Sequence, residues 1–122
     1  MPLPTGWIVE PGSPTRCSGL PVPATAVSAY PAADFTMALR VAAWPAADVS
    51  LDKAASACGR RRGTLAGASY VSSADWLGVS YSVEGVFIQV GARALQLEVL
   101  SPARQAAVAR GVLAAAATKA AE

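Results

Sequence analysis

An α+β domain built on a single antiparallel β-sheet of about five to six strands, with two helices packed on one face, is the fold the sequence predicts. Three observations predict it. Apolar residues alternate with period two through residues 35–43 and again through most of residues 76–100. Helical spacing appears after Ser50 and after Ser101. Prolines at 2, 4, 11, 14, 21, 23 and 31 interrupt the first third of the chain. An antiparallel sheet with helices on one face joins these pieces through short connections, which neither a doubly wound parallel sheet nor a helical bundle does.

The 122 residues amount to one domain, with residues 1–33 as a proline-rich edge segment and residues 34–120 as the core. Trp7-Ile8-Val9 reads as a short first strand, and Ala24 to Tyr30, between Pro23 and Pro31, as a second. Phe35, Met37, Leu39, Val41 and Ala43 form one face of the next strand, which Pro45 ends. Ser50 is an N-cap for a helix of about three turns carrying Leu51, Ala54, Ala55 and Cys58, stopped by Gly59 or Gly63. Residues 64–72, 76–83, 86–90 and 94–100 then read as consecutive antiparallel strands, with hairpin turns at Glu84-Gly85 and Gly91-Ala92-Arg93. On that reading Leu77, Val79, Tyr81 and Val83 share a face with Val86, Ile88, Val90, Leu95, Leu97 and Val99, while Gln89, Gln96 and Glu98 lie opposite. Ser101-Pro102 opens a last helix to about Lys119, with Gln105, Val108, Ala109, Val112, Leu113 and Ala116 as its stripe and Gly111 as a point of close packing.

Hydrophobic residues make up 53% of the chain and charged residues 15%, so there is ample apolar surface to drive folding. Ten basic and eight acidic residues give a formal charge of +2 with no basic stripe, which excludes a typical nucleic-acid surface. The N-terminus has neither the basic nor the long apolar region of a signal peptide, so the chain is expected to be cytoplasmic unless it is a mature domain restarted with Met. Residues 103–121 are mostly alanine and too weakly apolar to span a bilayer. In a reducing compartment Cys17 and Cys58 are two thiols; were the protein exported they would be able to pair, and their spacing does not decide between these.

There is no histidine, which removes the commonest general base and the commonest metal ligand. The carboxylates, among them Asp52, Asp75, Glu84 and Glu98, fall in loops, turns and polar strand faces and read as solvated groups. No catalytic residue, cofactor or metal is expected. Gly59-Arg60-Arg61-Arg62-Gly63 offers arginine forks and glycine amides to an anion or an acidic partner, although cations after a helix also favour its dipole. Trp44 and Trp76 lie on the parity opposite to their apolar neighbours. That placement marks either a contact surface or a second layer, such as the N-terminal arm, covering them. Trp44, Trp76, Arg60, Arg61 and Arg62 are therefore the candidate partner-binding residues.

The layout resembles the PsbP-like fold, a group that includes a nuclear-transport factor, a photosystem subunit, the DcrB-type bacterial proteins and the Eag-type chaperones of type VI secretion effectors. The residues that carry the resemblance are 34–41 before the first helix, Ser50-Leu51-Asp52-Lys53 opening it, and the hairpin 86–99 before Ser101-Pro102. The short first helix and the proline-rich N-terminal third depart from that pattern. The resemblance implies a non-enzymatic domain that holds a protein segment across its sheet, a hydrophobic effector segment in the Eag-type chaperones. It transfers no functional residue. The leading expectation is a bacterial secretion chaperone, immunity-type partner or assembly subunit that binds another protein, with a homodimer left open. A carrier of a small hydrophobic ligand is the second expectation. An enzyme, which would need Cys17, Cys58 or a carboxylate pair in a cleft, is the third.

Overall fold

The computed structural model describes residues 7–12, 17, 19–31, 37–62 and 67–121. Its strands are β1 (Trp7–Pro11), β2 (Thr25–Pro31), β3 (Ala38–Pro45), β4 (Arg60–Arg62), β5 (Ala68–Trp76), β6 (Val79–Val90) and β7 (Arg93–Pro102). Helix α1 (Leu51–Cys58) lies between β3 and β4, and α2 (Ala106–Ala121) follows β7. All seven strands form one sheet in the order β1-β2-β3-β7-β6-β5-β4, antiparallel throughout. The α+β class holds, with more strands than the expected five to six. The arginine run, expected after the helix as a set of dipole-complementing cations, is itself the edge strand β4. The expectations for Asp34, Phe35, Thr36 and residues 64–66 lie outside the described residues.

The two helices pack on opposite faces of the sheet rather than on one, and β6 is the reason. Glu84-Gly85 is not a turn: the strand runs unbroken from Val79 to Val90, with Gly85 paired to Tyr70 on one side and to Glu98 on the other. Alternation continues through that point, so Val83 and Phe87 face one way and Val86 and Ile88 the other. On the first face Ala54 and Ala55 of α1 pack with Trp44, Tyr70, Val83 and Phe87. On the second, Ala109, Leu113, Ala116 and Ala117 of α2 pack with Leu39, Val86, Ile88, Leu97 and Val99. Each fully buried large side chain of this kind contributes roughly 1.5–3 kcal/mol.

Two of the strand connections are tight two-residue hairpin turns. Leu77 and Gly78 join β5 to β6 with φ of 51° and 76°, the doubly left-handed pattern of a type I′ turn. Gly91 and Ala92 join β6 to β7 with only the first in the left-handed region, at 59°, as a type II′ turn requires.

Helix α1 is eight residues long, shorter than expected. Ser50 sits at its N-cap, its carbonyl accepting the Ala54 N–H at 2.9 Å while its hydroxyl makes no capping bond. Ser101 and Pro102 belong to β7, because β6 extends far enough to pair with both, and α2 starts only after a 3₁₀ turn at Ala103–Gln105. Val108 is exposed, and a side chain at Gly111 would meet nothing, so the expected close packing at that glycine is absent. No described helix is long and apolar enough to cross a membrane.

Candidate functional site

Among the described side chains, those of Trp44, Arg60 and Arg61 do not converge. Trp44 is 4% exposed, its ring 6.2 Å from Phe87. Its indole N–H donates to the Pro21 carbonyl at 3.0 Å, the Ala24 N–H donates to the Ala43 carbonyl at 2.8 Å, and Leu20 packs on the same cluster. A strap running from Cys17 to Ala24 thus covers this tryptophan. As the structure stands, the covering arm explains its parity, and Trp44 offers no contact surface. Cys17 and Cys58 are not two thiols: they form a disulfide with their Cα atoms 5.0 Å apart, tying the strap to the end of α1.

Arg60 is exposed on the edge strand. Arg61 pairs with Asp52 at 3.0 Å and donates from Nε to the Ser69 carbonyl at 3.3 Å, so it braces β4 against α1 and β5. The side chains of Arg62 and Trp76 lie outside the described residues. Trp76 pairs through its backbone with Val79 at one end of β6, whereas Phe87, the neighbour of Trp44, is eight residues along. At ~3.3 Å per residue that puts the backbone of Trp76 roughly 26 Å along the sheet from Phe87.

Two carboxylates expected in solvent are buried. Glu98, 0% exposed, accepts from the Tyr70 hydroxyl at 2.6 Å, and Gln96 donates to the same hydroxyl at 2.8 Å and to Cys58 Sγ at 3.7 Å. On the opposite face Arg110 of α2 reaches Glu84 at 3.3 Å. The register aligns Arg61, Tyr70, Gly85, Glu98, Arg40 and Ser28 in one row across the sheet. Burial first, and the Glu98 charge second, push the Tyr70 hydroxyl far above the ordinary tyrosine range. It therefore keeps its proton at any physiological pH and acts as a fixed donor that joins strands.

What sequence reasoning missed is the tip of the β5–β6 hairpin. Leu77 is 84% exposed and Val79 43% exposed, and Leu77 occupies a left-handed position at which asparagine or glycine is the usual residue. The signal was legible as Trp76-Leu77-Gly78-Val79, a Leu-Gly dipeptide between two runs of alternating residues. Ser80 Oγ donates to Asp75 Oδ1 at 2.9 Å across the base of the tip and steadies it.

No family model matches the chain, and no curated protein does. Among solved structures, the solution structure of cyanobacterial PsbP (CyanoP) from Synechocystis sp. PCC 6803 aligns over 91% of this chain and 78% of its own, with a TM-score of 0.47 and 11% identity. At that level the likeness carries no inference about what this chain does.

Proposed function

We propose that the chain is a non-catalytic protein-binding module that seats the β5–β6 hairpin tip, Leu77 with Val79 beside it, in an apolar pocket of another protein. The observation that carries this is Leu77. A left-handed backbone costs a bulky residue roughly 1–2 kcal/mol, and at 84% exposure burial returns little of it. A cost that the isolated fold does not recover is recovered when the tip enters a pocket shaped for it.

A protein pocket suits this tip better than a lipid surface does. Residues 72–82 contain an aspartate and no lysine or arginine, whereas attachment to an anionic membrane draws on cations. A rigid turn held by the Ser80–Asp75 bond also matches a preformed cavity, while a fluid bilayer demands no particular tip geometry. The engagement of Glu84 by Arg110 and of Glu98 by Tyr70 supports a non-catalytic reading, as does the lack of histidine. The disulfide favours work in an oxidising compartment, which suits an accessory or assembly subunit better than a chaperone in a reducing cytoplasm.

The test is photo-crosslinking in the native cell from a probe at Val79. One discrete protein adduct is expected, its yield falling at least tenfold in Leu77→Asn, since removing a buried leucine contact is worth about 1.5–3 kcal/mol. Val108→Asn, a change at an exposed apolar residue on α2, is the control and leaves the adduct intact. Equal yields from both variants would remove the tip from the interface.

A further inference from the structure

We propose that the Cys17–Cys58 disulfide is a redox latch: its reduction frees the strap of residues 19–24 from the sheet, leaves the rest of the fold standing, and uncovers the Trp44 ring. This does not rest on the hairpin reading, since the strap covers a different part of the sheet.

The two ends of the latch are held very differently. Cys58 ends α1, whose Ala54 and Ala55 are packed into the core and whose last turn is closed by the Gly59 N–H on the Ala55 carbonyl at 3.2 Å. The strap belongs to no strand. Pro21 and Pro23 have no N–H to donate, and Gly19, Pro21, Val22 and Ala24 are exposed. Between residues 19 and 24 its described ties to the sheet include the Trp44 indole on Pro21, the Ala24 N–H on Ala43 and the packing of Leu20, while Cys17 at its base is itself buried. Segments with so few buried contacts open at a fraction of the global unfolding free energy once a covalent tie is removed. β7, by contrast, pairs with β6 along its whole length, and the two strands carry the core of both faces.

The chemistry is thiol–disulfide exchange with a dithiol reductant. Cys58 is the more exposed of the two sulfur-bearing residues, Cys17 being 7% exposed. A thiolate of the reductant attacks Cys58 Sγ, and Cys17 leaves as a thiolate. The second thiol of the reductant then displaces Cys58. The reductant loses two electrons and becomes a disulfide, and its two protons end on Cys17 and Cys58. The freed strap withdraws the Pro21 carbonyl from the Trp44 indole, and the ring of Trp44 becomes accessible.

The experiment is hydrogen exchange, read by mass spectrometry, on the whole folded chain before and after incubation with dithiothreitol. Amides of residues 19–24 are expected to exchange at least tenfold faster after reduction, while residues 79–102 change by less than twofold. Cys58→Ser is expected to reproduce the reduced pattern without reductant. Acceleration of residues 79–102 together with the strap would overturn the latch and make the disulfide a staple of the whole fold. Unchanged exchange in the strap, with the bond shown to be reduced, would overturn it as well, because the non-covalent ties would then suffice.

Discussion

Tyr70 and Gly85 account for each other. The phenol ring of Tyr70 lies across Gly85 on the neighbouring strand, where any Cβ would overlap it, and so its hydroxyl reaches Glu98 one strand further on. Removing that hydroxyl in Tyr70→Phe takes a charge-assisted bond from a buried carboxylate and should cost about 2 kcal/mol in urea unfolding at pH 7. The same group sets an alkaline limit. Its folded pKa lies above the unfolded value of about 10, so below that pH both states hold the proton and the contribution is whole. As pH rises further the unfolded chain loses the proton first, and stability falls by up to about 1.4 kcal/mol per pH unit. Urea midpoints from pH 8 to 11 should show this decline, with a shallower slope in Tyr70→Phe. Sequence alone gave Gly85 the look of a turn, because the residue that explains it is fifteen positions away in the chain.

The strands were more legible than the helices among the elements. β2, β3 and β7 follow the alternation and proline boundaries of their sequences closely. β6 was divided in two because a glycine beside a charged residue imitates a hairpin, and the true turn hides behind an apolar pair, Leu77-Gly78. At that turn Leu77→Asn should add about 1 kcal/mol of stability, read as a raised thermal midpoint, since asparagine tolerates the left-handed backbone, even as it weakens the crosslink. In α2 the alanine-rich stripe permits several faces to point inward, and the sheet chose Ala109, Leu113, Ala116 and Ala117. Gly111 was left in solvent with open space around it. Gly111→Ala should therefore stabilise by up to about 1 kcal/mol, measured by the same urea titration; a loss of stability would show hidden close packing.

For the whole molecule, the arrangement is three layers, α1 on one face of the sheet and α2 on the other. Each helix covers only part of its face, α1 lying over β4–β6 and α2 over β6 and β7. The strap completes the α1 side over Trp44, and the disulfide closes a loop of 41 residues in doing so. In the chain-entropy view a loop of that length is worth about 4 kcal/mol against the unfolded state. Cys58→Ser should lower the free energy of unfolding by up to that amount in non-reducing urea titrations, while the circular dichroism of the sheet in buffer stays that of the oxidised protein.

The α+β class, the order of elements, the existence of most strands and the two helices follow from the sequence, because period and proline placement are local properties that each segment carries by itself. The layering, the burial of Trp44, Glu84 and Glu98, and the pairing of Cys17 with Cys58 were decided by the tertiary structure. A single wrongly placed turn at residues 84–85 reverses the facing of everything beyond it, since side chains in a strand alternate with period two. Both faces of this sheet are apolar enough to be buried, so local hydrophobicity does not choose between them. Only the unbroken ladder of β6 with its two neighbours fixes which residues meet α1 and which meet α2.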